Sequence, residues 1–188
     1  AIDQIVNKLN DLNKKFHPWK NSLISQFNKT HQIENCDQDF INIIQTAKYY
    51  ENLTYSTFNP AIGKLIEIWG FHDDVIKGQV PNEEDINKIL LTQPSLNQLL
   101  ITDNSISSNN FFLKIDLGGM IKGLALDMAK QTYQDIGIKN VLTNFGGNIY
   151  AHGKPGKRLW EVAIQNPHNN KLLLAKLKMQ PGSAIGTS

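Results

Sequence analysis

The residues with the clearest chemical potential run from Lys114 to Gly123, Lys-Ile-Asp-Leu-Gly-Gly-Met-Ile-Lys-Gly. The pattern reads as a strand (Phe111 to Asp116) ending in an acid, then two glycines, then a helix with a lysine in its first turn. Glycines let a backbone approach a ligand closely and take up positive φ. The unsatisfied N–H groups of a helix start favour an anion, and Lys122 adds a full positive charge. Asp116 offers two acceptor oxygens to a metal, a ribose hydroxyl or a base N–H. Together these groups suit a phosphorylated ligand. The same residues also fit a glycine-capped loop in which Asp116 caps the helix and Lys122 is solvated. The spacing is neither G-x-G-x-x-G nor G-x-x-x-x-G-K-[ST], so it supports neither a dinucleotide fingerprint nor a P-loop.

Two further stretches carry polar groups beside glycine or proline. Asn144-Phe145-Gly146-Gly147-Asn148 is either a plain hairpin turn or a second backbone surface facing the first glycine loop. Thr57-Phe58-Asn59-Pro60 runs into Leu65 to Phe71 and reads as a short helix capped by Asn59, with proline at its first position and aromatics in the core. His17, His31, His72, His152 and His168 are scattered, with no pair at helical ligand spacing, which argues against a His-based zinc site. Gly-x-Ser-x-Gly is absent. The short basic stretch Lys154 to Arg158 reads as a solvated loop.

These segments need elements to hold them. Residues 2–16 place Ile2, Ile5, Val6, Leu9, Leu12 and Phe16 on one helical face, ended by Pro18. Asp37 and Asp39 open a second helix, and Pro81 with Glu83, Glu84 and Asp85 opens another that runs to about Leu91. The most regular helix covers Met120 to Ile136, with Gly137 as its C-terminal cap. Val141 to Thr143, Ile149 to Ala151, Trp160 to Ile164 and Leu172 to Met179 read as strands. A helical first half and a mainly stranded second half predict an α+β fold, the N-terminal half packed on a mainly antiparallel sheet from the C-terminal half.

At 188 residues the chain is of single-domain size. Lys plus Arg number 19 and Asp plus Glu 17, so the net charge of +2 excludes a nucleic-acid binder driven by a basic face. A lone cysteine, Cys36, cannot form an internal disulfide and reads as a small apolar residue. No run reaches the roughly 18–20 apolar residues of a membrane span, and no signal peptide is present. Both ends look cut, the first inside a helical pattern and the last just after an apolar run.

Several separated blocks then resemble one family, the ApbE-type flavin transferases. Phe58-Asn59-Pro60-Ala61-Ile62-Gly63-Lys64-Leu65 with Trp69-Gly70-Phe71 is similar to its F-D-P-x-x-G-x-L…W-G-F block. Ile115 to Gly123, with Asp127, is similar to I-D-L-G-A-I-A-K-G…D. Asn144 to Asn148 resembles N-x-G-G-N/D, Trp160 to Pro167 resembles W-x-V-x-I-x-x-P, and Ser22 to Asn28 resembles S-x-x-S-x-x-N. Ala184 to Ser188 resembles the start of a strand that continues T-S-G. The chain departs from the pattern at Asn59, where the family has an acid, and at Ser56, where it has a glycine. It also lacks the family's early Met-Gly-Thr-like strand and its later Asp-x-x-x-Thr metal-ligand stretch, which implies a single partial transferase domain over residues 1–188.

The resemblance implies FAD as substrate and Mg²⁺ as cofactor, with the Gly119 carbonyl as one metal ligand. It places Asp116 and Lys122 at FAD-contacting positions, Thr57, Phe58 and Asn59 at a contact triplet, and Trp19 at an aromatic stacking position. It leaves the catalytic base unassigned. The implied reaction is transfer of FMN from FAD to a Ser or Thr hydroxyl of an acceptor flavoprotein, a subunit of a membrane redox complex, with release of AMP. A pyrophosphatase giving FMN and AMP, and a non-catalytic FAD binder, are the alternatives. Relatives of this kind act on the periplasmic side of the inner membrane, exported and often lipid-anchored.

Overall fold

The computed structural model describes residues 2–72 and 80–187. The fold is α+β, and the chain divides into two compact units, Asn10–Ile121 and Ala1–Leu9 with Lys122–Ser188. Two helices cross the divide in sequence, α1 (Ile2–Phe16) and α6 (Gly118–Asp135).

The unit Asn10–Ile121 is built on helices whose starts are written in their side chains. Helix α2 (Leu23–Thr30) opens with a reciprocal cap: Ser22 Oγ accepts from Ser25 N–H at 2.9 Å, and Ser25 Oγ accepts from Ser22 N–H at 3.0 Å. Asp37 caps α3 (Gln38–Leu53) by accepting from Phe40 N–H at 2.8 Å. Asn82 caps α5 (Glu83–Leu91), whose first turn holds Glu83, Glu84 and Asp85. The core gathers Ile24, Phe27, Phe40, Ile41 and Ile44 with Leu113, Ile115 and Leu117. Phe16 stacks on Phe40 at 5.2 Å. Cys36 is buried, as a small apolar residue would be. A small antiparallel sheet orders its strands β1 (Gln32–Ile33), β3 (Ile106–Ser107), β2 (Leu100–Ile101).

Three sequence expectations change here, the first being that Trp69 and Phe71, read as core aromatics, are exposed. Phe111 to Asp116 is not a strand; among the described residues its only ladder contact is an isolated parallel bridge between Lys114 and Ile62. Asn59 is not a helix cap. Helix α4 (Gly63–Ile68) starts only after Ile62. Pro60 C=O accepts from Asp116 N–H and Gly63 N–H donates to Lys114 C=O, both at 2.8 Å, so backbone pairing claims this segment before the helix does.

In the other unit, α6 ends at the expected glycine, with Ile138 N–H donating back to Tyr133 C=O at 2.9 Å across Gly137 (φ +73°). β4 (Val141–Phe145) pairs with β5 (Asn148–His152), which pairs with β8 (Ala184–Ile185), all antiparallel. β6 (Trp160–Asn166) and β7 (Asn169–Met179) form a separate antiparallel hairpin. Ile149, Ala151 and Met179 form the apolar centre, with Leu142, Trp160, Val162 and Ile185 against it. Ser188, the last residue of the Ala184 block, lies outside the described residues. Among the described residues no helix is long and apolar enough to cross a membrane.

Candidate functional site

Asp116 stands at the end of an extended segment that is paired through backbone on one side to Pro60 and Gly63. The pairing is so close that a Cβ at Gly63 would sit 2.8 Å from the Lys114 carbonyl oxygen, so only glycine fits. The Asp116 carboxylate turns back and accepts from Gly118 N–H at 2.7 Å, capping α6. The capping role read from sequence as one option is therefore real. It uses one oxygen and leaves the carboxylate half-buried. Burial pushes this carboxyl above the usual range, against the opposing pull of the Gly118 N–H and of nearby His17.

The start of α6 retains hydrogen-bonding capacity. Met120 and Ile121 N–H groups both donate to Leu117 C=O at 2.9 Å, and Gly118 N–H is taken by Asp116. Gly119 N–H has no partner among the described residues. Gly119 lies against the Phe58 ring, where a Cβ would come within 3.0 Å of Cε2. Phe58 is half-buried. Its neighbour Thr57 is exposed and donates to Thr54 C=O at 2.6 Å. Asn59 is engaged at both ends of its amide: Oδ1 accepts from Ala61 N–H at 2.8 Å and Nδ2 donates to Pro94 C=O at 2.9 Å. The loop before it runs through positive φ at Tyr55 (+51°) and Ser56 (+60°). A glycine adopts such angles without strain, which accounts for the family's preference at the second of these positions.

A pocket of about 110 Å³ brings Asp116 together with Trp19, Pro18, Asn28, Glu67 and Lys114. Trp19 is partly exposed and sits edge-on to His17 at 5.4 Å. Glu67 accepts from Lys64 at 2.9 Å and from Lys114. Burial raises its carboxyl, but the two lysines outweigh that and hold it below the usual range. A larger open groove of about 600 Å³ lies elsewhere in this unit, beside Gln98, Leu100, Asn110 and Phe111. It contains none of the predicted residues, and its amides already bond one another: Asn110 Nδ2 donates to Gln98 Oε1 at 2.8 Å and to Thr92 C=O at 3.2 Å.

Lys122 belongs to the other unit. It is exposed and makes no ion pair with any described residue. Its stem runs near the second glycine pair, so that a Cβ at Gly146 would lie 3.8 Å from Lys122 Cδ. Gly146 and Gly147 form the β4–β5 turn, with φ of +58° and +93°, and Asn144 Oδ1 accepts from Gly147 N–H at 2.9 Å. The hairpin reading of this stretch holds.

One residue that the sequence singled out only as part of a motif proves central. Asn28 is buried on α2 and bonds backbone atoms at Ile115 and at Pro18. Its signal was an amide beside Phe27 on the buried face of an amphipathic helix. Glu51, fully buried on α3, accepts from Leu96 N–H at 2.9 Å and was not singled out at all.

Comparison with known proteins places this geometry. The chain is 29% identical over 180 residues to the FAD:protein FMN transferase of Rhodobacter capsulatus, covering 94% of this chain and 34% of that protein. It is 31% identical over 193 residues to the enzyme of the same name from Buchnera aphidicola subsp. Schizaphis graminum, covering 97% and 56%. The chain thus spans between a third and just over half the length of these relatives. Among solved structures, the ApbE protein of Thermotoga maritima superposes with a TM-score of 0.85 at 26% identity, over 100% of this chain and 61% of that one. A point mutant of the flavin transferase ApbE from Vibrio cholerae gives 0.81 at 25%, over 99% and 63%. The ApbE family model matches residues 1–188, and the chain belongs to the ApbE family.

Proposed function

We propose that the protein transfers FMN from FAD to a Ser or Thr hydroxyl of an acceptor flavoprotein and releases AMP. The observation that carries this reading is the Asp116–Gly119 turn at the start of α6. It combines a half-buried carboxylate, an unpartnered Gly119 N–H and the Phe58 ring in the block where this chain matches the family. An FAD phosphate would meet the Gly119 N–H, which is suited to an anion; Lys122, which pairs with no acid among the described residues, would supply a positive charge to the same ligand class. Asp116 and Trp19 would contact the remainder of the nucleotide from the pocket that both line, with Thr57, Phe58 and Asn59 beside it.

In the reaction the acceptor oxygen forms a bond to the FMN phosphorus, and the bond from that phosphorus to the pyrophosphate bridging oxygen breaks. AMP leaves with the electron pair, and the hydroxyl proton passes to a base or to solvent. Catalysis of this kind is mostly positioning and charge neutralisation. Mg²⁺ fits that demand as a hard cation that takes oxygen donors, among them the Gly119 carbonyl. Among the described residues no group of three or more acidic, His or Cys side chains could hold a metal, and the Gly119 carbonyl would be one oxygen donor to it. We include in the same reading an acceptor in a membrane redox complex and a location on the periplasmic face of the inner membrane.

The test uses the full-length protein with FAD, Mg²⁺ and a candidate acceptor domain. An acceptor heavier by one FMN, with AMP released, is the expected result. Free FMN plus AMP with an unmodified acceptor would replace the transferase with a pyrophosphatase. Tight FAD binding with no turnover across a panel of acceptors would leave a binding protein.

A further inference from the structure

Asn28 lies on α2 with 7% of its surface exposed, and its amide reaches out of the helix three times. Nδ2 donates to the carbonyls of Ile115 (2.9 Å) and Pro18 (3.1 Å), and Oδ1 accepts from Ile115 N–H at 2.6 Å. The other side of the same segment is held by backbone, through Lys114 C=O to Gly63 N–H and Asp116 N–H to Pro60 C=O. An extended chain turns the hydrogen-bonding groups of successive residues to opposite sides. Residues 114 and 116 therefore face Pro60 and Gly63, while Ile115 faces α2, where a sheet would require another strand. One asparagine side chain meets both backbone groups of Ile115 in place of that strand. Its remaining bond fixes Pro18.

The residues that follow the two anchored ones are Asp116 and Trp19, and both line the pocket of about 110 Å³ together with Asn28. We infer that Asn28 is a positioning residue: it ties the Pro18–Trp19 and Ile115–Asp116 backbones to one point and so sets the aromatic ring and the carboxylate at the spacing the nucleotide requires. The inference rests on the proposed FAD site. It assigns Asn28 no contact with the reacting atoms.

Ile115 is fully buried, so leaving its N–H and C=O without partners destabilises the fold. A fall in stability alone therefore proves nothing, and the test needs a reference of equal destabilisation. Ile44→Ala serves, because Ile44 is a fully buried residue of α3 outside the pocket and its truncation is comparably destabilising. In the full-length protein, Asn28→Ser is expected to raise KM for FAD about tenfold or more with kcat within about threefold of wild type. Ile44→Ala is expected to lower Tm comparably and leave KM within about twofold. Should Asn28→Ser fail to fold, Asn28→Asp is read at about pH 5 and about pH 7.5 against wild type at each pH. Protonation of the new carboxyl restores one donor at the acid end, so the KM ratio should fall there. Equal KM values for the Asn28 variant and Ile44→Ala, or a KM ratio for Asn28→Asp that does not change with pH, would overturn the inference. Wild-type protein that fails to bind FAD would instead overturn the reading of the site itself, and the inference with it.

Discussion

The chain contains two glycine pairs that look alike on paper, Asp116-Leu117-Gly118-Gly119 and Asn144-Phe145-Gly146-Gly147. Each follows an acidic or amide side chain, and in each that side chain accepts a hydrogen bond from one of the glycines, Asp116 from Gly118 and Asn144 from Gly147. The reasons for glycine are nevertheless different. Gly146 and Gly147 sit at φ of +58° and +93°, where an L side chain is strained, and a Cβ at Gly147 would in addition run into Thr187 Oγ1. Gly118 and Gly119 begin a helix at ordinary negative φ, and what limits them is clearance: Asp116 Oδ1 is 2.9 Å from a Cβ at the first and Phe58 Cε2 is 3.0 Å from a Cβ at the second. One pair is needed for the shape of the chain. The other leaves room around a carboxylate and an aromatic ring that we assign to ligand binding.

This difference predicts opposite responses to the same small change. Gly147→Ala should cost about 2 kcal/mol of stability, because the backbone cannot relax out of positive φ without opening the β4–β5 turn. Gly119→Ala should be close to neutral: the preference for alanine, about 1 kcal/mol in a helix interior and smaller in the first turn, is offset by the shift it forces on the Phe58 ring. The family block itself carries alanine at this position. Urea unfolding of both variants checks the pair, and equal losses would show that the two glycine turns are constrained alike.

Lys122 sharpens the comparison on the functional side, since its stem passes near the Gly146 turn. It is exposed and pairs with no described acid, so its removal should leave stability within about 0.5 kcal/mol. FAD affinity should fall about tenfold, somewhat less than a fully buried charged hydrogen bond would give. Isothermal titration with FAD in the full-length protein reads it. Unchanged affinity would detach Lys122 from the phosphate role.

What could be read from the sequence was what is local. The helix read over residues 2–16 is found as Ile2–Phe16, the cap at Gly137 closes α6, and the strands after Val141 fall where alternation and turns put them. Those signals arise within one or two turns of chain. The failures share the opposite cause. Phe111 to Asp116 has strand composition, but its partner on one side is the Asn28 side chain, 87 residues away in sequence from Ile115. Asn59-Pro60 has the form of a helix start, but Asp116 N–H takes the Pro60 carbonyl first. Of the predicted site residues, Trp19 and Asp116 meet in one pocket and Phe58 meets Gly119. Family blocks pointed to Phe58, Asp116 and Gly119, and the resemblance to Trp19 by position outside them; neither contact could be read from spacing. Ser22 and Ser25 within the S-x-x-S-x-x-N block turn out to start a helix, which explains their spacing without reference to ligand.

The smallest predicted effect is the most discriminating for Asp116. Because burial raises its carboxyl in the folded protein, the folded state retains a proton that the unfolded chain has already released. Stability then declines as pH rises from the unfolded carboxylate value up to the raised folded one, and the decline is complete above that window. Asp116→Asn abolishes this dependence while keeping an oxygen that can accept from Gly118 N–H, so the helix cap survives. The variant should therefore melt no lower than wild type at neutral pH, and the difference in Tm should shrink as pH falls through the window. Flavin transfer should nevertheless drop, because the charged acceptor is gone. A carboxylate kept only to cap α6 would give the reverse pattern, lower Tm with activity preserved. Melting curves at several pH values beside a transfer assay on the same preparation separate the two, and they test whether the clearance around Gly118 and Gly119 exists for a charge that costs stability where it stands.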